Sequence, residues 1–207
     1  VTWSQADVSH SGIVTVKGES EGRQVEARVE VLAVERELPV IKRVAPGTDL
    51  SAVDKSVALA LTDGSLEHYD VDKWEIAPED KDKLSVPGSR IQMTGQLAGT
   101  KVSATLLVTD REAEAPVNPA VTLDGDSVTG LTSQKPVHYH SLAYGSQLPL
   151  VAATAENADV TVVQASVANG LRASIYVQPK DGGTLQTYAV QFLEEAPKIE
   201  SLSLQVE

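Results

Sequence analysis

Apolar and polar residues alternate with a period of two along most of this chain, which is the pattern of half-buried β-strands. Val25, Ala27 and Val29 fall on one face of such a strand, and charged residues fall between them. A second alternating run, at 57–61, ends at Thr-Asp-Gly-Ser (62–65), a sequence typical of tight hairpin turns. The pattern therefore predicts an all-β fold of antiparallel strands, each with one buried and one solvated face.

The chain also contains an internal repeat. Two glycines four positions apart are followed by small apolar residues at matching offsets, in the copies Gly18-Gly22-Val25-Ala27-Val29-Val31 and Gly95-Gly99-Val102-Ala104-Leu106-Val108. A lone tryptophan, Trp3 or Trp74, precedes each copy. Because repeats built from strands and turns are the mark of modular arrays, we expect tandem small domains rather than one large sandwich.

Turn signals and changes in composition divide the chain further, and the strand spacing indicates sandwiches of the immunoglobulin type. We predict an incomplete immunoglobulin-like unit at 1–34, an immunoglobulin-like domain at 35–110, a linker at 111–120, a β-sandwich module at 121–196, and at 197–207 either the start of a further module or a strand that completes the first unit. The linker is polar and proline-containing, so it predicts more motion than the short junction at 33–39.

Composition narrows the possible partners. The chain has 207 residues, with 29 acidic and 17 basic side chains and a net charge of −12. This balance argues against nucleic acid and against contact with an anionic membrane surface. Cysteine is absent, which favours an intracellular protein or a bacterial surface protein over a disulfide-bonded secreted domain. The sequence begins in the middle of a strand pattern, and we therefore expect it to be a fragment of a larger protein.

One resemblance is specific. Leu38-Pro39, the run 57–65, Tyr69-x-Val71-x-x-Trp74 and the Gly-x-x-x-Gly hairpin stand in the same order as in the bacterial immunoglobulin-like domain of group four. The second unit resembles that domain from end to end, and the first unit resembles only its latter part. The third unit is similar to the β-sandwich modules that accompany such domains in wall-attached glycoside hydrolases of Gram-positive bacteria.

This resemblance implies a non-catalytic spacer in a secreted, β-galactosidase-like glycoside hydrolase of the bacterial cell surface. Its partners would be the neighbouring modules of the same polypeptide, and a wall anchor would lie outside this segment. The alternative is a carbohydrate-binding module that attaches the enzyme to host or substrate glycans. Neither interpretation requires a cofactor.

The two tryptophans bear on this choice. An exposed indole could stack on a sugar ring, whereas a buried indole would anchor the sandwich core. Because Trp3 and Trp74 occupy equivalent positions of the repeat, we expect both to be core residues.

Candidate binding residues lie in the third unit. His138 and His140 are two positions apart, so on a strand both imidazoles point the same way. With nearby aromatic and acidic residues they form a candidate carbohydrate site, whose members are Tyr139, Tyr144, His138, His140, Asp124 and Asp126. The competing interpretation is a solvated strand face with packed tyrosines and acids in a turn. We expect no metal, since zinc needs three or four ligands and the Asp-Gly-Asp at 124–126 lacks the rest of a calcium loop.

No catalytic constellation stands out. Acidic pairs such as Glu194-Glu195 and Glu79-Asp80 are expected in wetted loops, and nucleophile and nucleotide signatures are missing. We therefore expect no catalytic residue in this segment. Finally, the first unit lacks its opening strands and should present an unpaired edge, which the alternating residues of 199–206 could fill.

Overall fold

The computed structural model describes residues 1–7 and 12–196. The predicted strand at 199–206 lies outside these ranges. Within them the chain forms seventeen strands and two 3₁₀ helices, Leu50–Ala52 and Pro78–Ser85. The strands are β1 (Thr2–Trp3), β2 (Gly12–Ser20), β3 (Arg23–Val31), β4 (Val34–Glu37), β5 (Ile41–Val44), β6 (Ser56–Leu61), β7 (Leu66–Asp70), β8 (Glu75–Ile76), β9 (Arg90–Leu97), β10 (Thr100–Val108), β11 (Ala120–Leu123), β12 (Asp126–Val128), β13 (Val137–Leu142), β14 (Val151–Thr154), β15 (Ala158–Val163), β16 (Arg172–Pro179) and β17 (Gln186–Glu194).

The second unit is a complete sandwich of β4–β10. One sheet has the strand order β5-β10-β9-β8 and the other β4-β6-β7. At Leu38-Pro39 the chain leaves one sheet, where β4 pairs antiparallel with β6, and enters the other, where β5 runs parallel to β10. The core between the two sheets contains Val57, Trp74 and Met93, among others.

Trp74 ties the second unit together, because its indole Nε1 donates a 2.8 Å hydrogen bond to the backbone oxygen of Asp54. The Asp54 carboxylate accepts hydrogen bonds from Lys42 Nζ and, at 2.7 Å, from Ser56 Oγ. Burial raises the pKa of Asp54, but these hydrogen bonds and the Lys42 charge outweigh that effect and hold the pKa below its ordinary value. The loop at Asp54 is thus held through both the backbone oxygen and the carboxylate of this residue.

The first unit is a single sheet with the order β1-β2-β3. It reproduces the register of β8-β9-β10: Trp3 lies opposite Gly18 and Gly18 opposite Val25, as Gly95 lies opposite Val102. No second sheet faces it among the described residues. The repeat in sequence is therefore a repeat of one sheet, which is half of a sandwich.

The prediction that both tryptophans are core residues was wrong for Trp3. Trp74 is 5% exposed and Trp3 is 46% exposed. The Trp3 ring lies against its strand neighbour, where a Cβ built on Gly18 would be 2.6 Å from its Cε3. Because no opposing sheet of the described residues covers the ring, one face of it is exposed.

The two glycines of each repeat have different physical roles. Gly22 and Gly99 are the second residues of two-residue hairpin turns, and Glu21-Gly22 and Ala98-Gly99 all have positive φ, as type I′ turns require. Gly95 instead allows close approach, because a Cβ there would lie 2.9 Å from Val71. The motif is thus explained by backbone geometry alone.

The third unit is a sandwich of β11–β17. One sheet has the order β12-β11-β14 and the other β13-β17-β16-β15, in which β13 runs parallel to β17. Its core contains Ile175, Tyr188 and Phe192. All three units are built of strands, and the fold class is therefore all-β, with tandem immunoglobulin-like β-sandwiches, as the alternation predicted.

The second and third units share a hydrophobic cluster. Leu38, Ala58 and Ala60 of the second unit pack with Val163 and Tyr176 of the third, and all five are buried. The linker composition predicts more motion here than at the junction 33–39, and this stays a prediction. The buried contact is a physical reason to expect less motion, because it joins surfaces on either side of the linker.

Hydrogen bonds reinforce this contact. Gly64 O, in the Asp-Gly turn, accepts hydrogen bonds from Ser174 Oγ and Tyr176 OH, both at 3.1 Å. At the other junction, the backbone nitrogen and oxygen of Ala33 both bond to Thr62. The same turn region of the second unit therefore anchors both of its neighbours.

Candidate functional site

Strand β13 places the two predicted histidines side by side on the inward face of the third unit. His138 and His140 have ring centroids 6.4 Å apart, tilted by 33°. His140 also meets the core residue Phe192 edge to face, with centroids 5.8 Å apart. Leu142, two residues further on, is buried in the core. The histidines therefore continue the core-facing side of an edge strand and are half-buried.

The two predicted aspartates lie across from these histidines. Asp124 and Gly125 have φ angles of 48° and 95° and form the tight turn between β11 and β12. The Asp124 carboxylate accepts a 2.8 Å hydrogen bond from Leu150 N, so one of its oxygens already has a partner. Asp126 is exposed at the start of β12.

These four residues line one shallow cleft of about 340 Å³, between the edge strands β12 and β13 of the two facing sheets. The cleft has polar walls of His138, His140, Asp124 and Asp126, together with hydroxyl groups. Such groups can exchange hydrogen bonds with sugar hydroxyls. The structure thus brings together four of the six residues of the candidate carbohydrate site.

The two tyrosines lie elsewhere. Tyr139 is on the opposite face of β13 from the histidines, and Tyr144 is in the turn after that strand; each is 65% exposed. Neither lines the cleft. The cleft therefore lacks the aromatic ring on which a sugar would stack, and the predicted role of the tyrosines as its walls was wrong.

The same region contains oxygen and nitrogen ligands of the kinds that metals use. In the described ranges, no group of three or more histidine, aspartate or glutamate side chains is close enough to hold a metal ion. The Asp124 contact with Leu150 N uses an oxygen that a calcium site would need.

The acidic pairs occupy structural positions. Asp80 forms a 2.6 Å ion pair with Lys83 inside the 3₁₀ helix. Glu194 accepts a 2.9 Å hydrogen bond from Gly145 N and so holds the turn after β13. These contacts give both carboxylates a role in local structure.

The structure has a second cleft that the sequence did not predict. It lies where the second unit, the linker and the turn 179–183 of the third unit meet, encloses about 480 Å³ and is lined by several arginines. Arg43, Arg90 and Arg111 are far apart in sequence and no motif links them. Arg43 and Arg90 both lie opposite Leu107 of β10, in one sheet of the second unit, and the linker adds Arg111. Pairing between strands distant in sequence brings them together, so no local pattern could have revealed this site.

Comparison with known proteins adds little. No family model and no curated protein matches the chain. A crystal structure of the I9–I11 tandem from titin aligns with 91% of this chain and 76% of its own length, at 12% identity and a TM-score of 0.17. No helix among the described residues is long and apolar enough to span a membrane.

Proposed function

We propose that this chain is a non-catalytic spacer of a secreted bacterial cell-surface protein, a glycoside hydrolase of the β-galactosidase type. In this role it holds a catalytic part at a set distance and angle from the wall, and its partners are the adjoining modules. Extracellular placement and attachment through regions outside this segment belong to the same proposal. The support from the residues is the order of motifs in the second unit.

The observation that carries the spacer role is the shared cluster of Leu38, Ala58, Ala60, Val163 and Tyr176. Contacts between domains of one chain are ordinarily small and polar, so relative motion is the default. Here small alanines on β6 let a tyrosine of β16 come close enough to be 1% exposed. An apolar contact of this kind, with two hydrogen bonds to Gly64, restricts bending.

Electron–electron distance measurements between two spin labels test this rigidity. Because the chain has no cysteine, only the introduced cysteines are labelled. Labels at Lys81→Cys and Glu156→Cys report on the second and third units, both positions being exposed. We expect one narrow distance distribution, as narrow as that of a reference pair within the second unit, Lys55→Cys with Lys81→Cys. A broad distribution would reject the spacer role, and so would a compact globular particle in small-angle scattering.

A second candidate function is glycan binding by the third unit, favoured by the gathering of His138, His140, Asp124 and Asp126 in one cleft. In that case galactose-type oligosaccharides contact these polar groups through their hydroxyls. The affinity would be modest, since the cleft is shallow and has no stacking ring.

Titration calorimetry with galactose-type oligosaccharides tests this candidate. We expect binding in the millimolar range that is lost in His138→Ala and retained in Tyr139→Ala, which changes the same strand on the face away from the cleft. Absence of heat at millimolar sugar with the unmodified chain rejects glycan binding, and equal loss in both variants assigns it to another surface.

A further inference from the structure

The inward face of strand β6 continues beyond the core of the second unit. Val57 packs into that core, but Leu59 and Leu61, the next residues on the same face, belong to none of the core clusters of the described residues. They line a groove of about 670 Å³ between the two sheets, together with Leu97 and Ala98 at the tip of the β9–β10 hairpin. The sandwich is therefore open at this end, and its apolar inner surface is accessible there.

Two glutamates lie on this inward face. Glu37 of β4 and Glu67 of β7 are both paired with Leu59, so the three side chains form one row across the sheet. Both line the groove, and its described lining includes no basic residue. Glu37 Oε1 accepts a 2.7 Å hydrogen bond from Ser103 N, and within the described ranges neither glutamate forms an ion pair. A charge in a core-facing row is unfavourable unless it is paired or has a function.

Strand β7 also has a free edge beside this groove. In the ladder of β6 and β7, Val71 N donates a hydrogen bond to Lys55 O. Because bonded pairs alternate along an antiparallel ladder, the backbone groups of His68 and Asp70 point away from β6. No further strand of the described residues pairs with β7, and residues 67–70 are exposed. Such unpaired backbone groups are a template on which another strand can form.

We propose that the β7 edge and this groove bind an extended segment of a partner protein, one that carries a basic side chain between apolar ones. The segment adds to β7 as an antiparallel strand, in the manner of other strand additions, and alternate side chains enter the groove. A lysine or arginine there pairs with Glu67. The apolar side chains two positions away on either side pack against the apolar walls, which include Tyr69, 43% exposed.

The charges of β7 favour a basic partner over a second copy of this chain. If two copies paired through this edge, Glu67 and Asp70 of one copy would lie near the same residues of the other, and like charges across a ladder are destabilising. The net charge of −12 adds to this repulsion. A basic segment is attracted by the same acids.

Titration calorimetry with peptides capped at both ends, at constant ionic strength, tests this proposal. The matching peptide is Leu-Thr-Lys-Thr-Leu, whose leucines and lysine share one face of an extended strand. Leu-Thr-Glu-Thr-Leu reverses the charge, Ser-Thr-Lys-Thr-Ser removes the apolar side chains, and methylation of both threonine amide nitrogens of the matching peptide blocks pairing with β7.

We expect the full chain to bind the matching peptide in the millimolar range, because so short a strand buries little surface. The other three peptides should bind at least tenfold more weakly. Absence of heat with the matching peptide at millimolar concentration overturns the proposal, and so does equal binding of any of the other three.

Charge reversal locates the binding. In Glu67→Lys we expect the preference to reverse, so that the glutamate peptide binds at least threefold more tightly than the lysine peptide. Asp70→Lys makes the same change of charge on the other face of β7 and should keep the original order. Both side chains are exposed, so both variants should fold. An unchanged preference in Glu67→Lys, or a reversal in Asp70→Lys as well, contradicts the proposal.

Light scattering checks the alternative occupant. We expect the unmodified chain and Glu67→Lys to have the same mass in solution, that of one chain. A dimer of the unmodified chain that Glu67→Lys strengthens or dissociates would assign this edge to a second copy, and the proposal of a basic partner would then be wrong.

Discussion

Replacement of Trp74 by alanine is expected to destabilise the second unit by about 3–5 kcal/mol, the usual cost of removing a large buried aromatic side chain. The same substitution at Trp3 is expected to cost about 1 kcal/mol or less. The two residues hold equivalent positions of one repeat, but Trp74 lies between two sheets, whereas Trp3 lies on a sheet that no second sheet of the described residues covers. Chemical denaturation followed by far-ultraviolet circular dichroism checks the difference, because the tryptophan that each variant keeps lies in the other unit.

Trp74→Phe serves as the control for this pair. It keeps an aromatic ring in the core but removes part of the indole and the hydrogen bond from Nε1 to Asp54 O. We expect the lost hydrogen bond to cost about 1 kcal/mol in addition to the change in packing. Equal losses in Trp3→Ala and Trp74→Ala would mean that the first sheet is covered in solution. In that case the interpretation of its open face fails.

The two tryptophans also show how much of the fold could be predicted from the sequence. Alternation identified the apolar face that contains Val25 and Ala27, and the structure has that face. However, alternation reports only which side of a strand is apolar. It contains no information on whether another sheet lies over that side, and this is the difference between Trp3 and Trp74.

For a similar reason, the sequence could predict only some of the residues that line the cleft in the third unit. The rule that alternate residues share a strand face correctly placed His138 with His140. The same rule puts Tyr139 on the other face, so its inclusion rested on proximity in sequence alone. The second cleft, around Arg43, lay beyond prediction, because it depends on pairing between strands distant in sequence and on how two folded units meet.

The sequence of strand β6 does indicate the contact between the second and third units. Its apolar run Val57–Leu61 is buried at every position, and not only at alternate ones. Val57 packs into the core of the second unit, whereas Ala58 and Ala60 pack against Tyr176 of the third. A run that is apolar on both faces indicates a strand covered on both sides, and this strand lies between two units.

Replacement of Ala60 by glutamate is therefore expected to separate the second and third units without unfolding either. The methyl group of Ala60 is fully buried and faces the third unit. A carboxylate there has no partner and is costly to bury, but it reaches water once the units part. We expect the two units to unfold in one calorimetric transition in the unmodified chain and in two transitions in the variant, and we expect the label distances between them to broaden in the variant.

Val57→Ala is the matched control, since it changes the opposite face of the same strand. It removes core volume from the second unit and should cost about 2 kcal/mol or somewhat more, yet leave one transition and a narrow distance distribution. Tyr176→Phe should have a smaller effect of about 1 kcal/mol, through loss of the hydrogen bond to Gly64 O. If Ala60→Glu keeps a single transition and a narrow distribution, the shared cluster does not join the units, and the rigidity on which the spacer role depends must come from elsewhere.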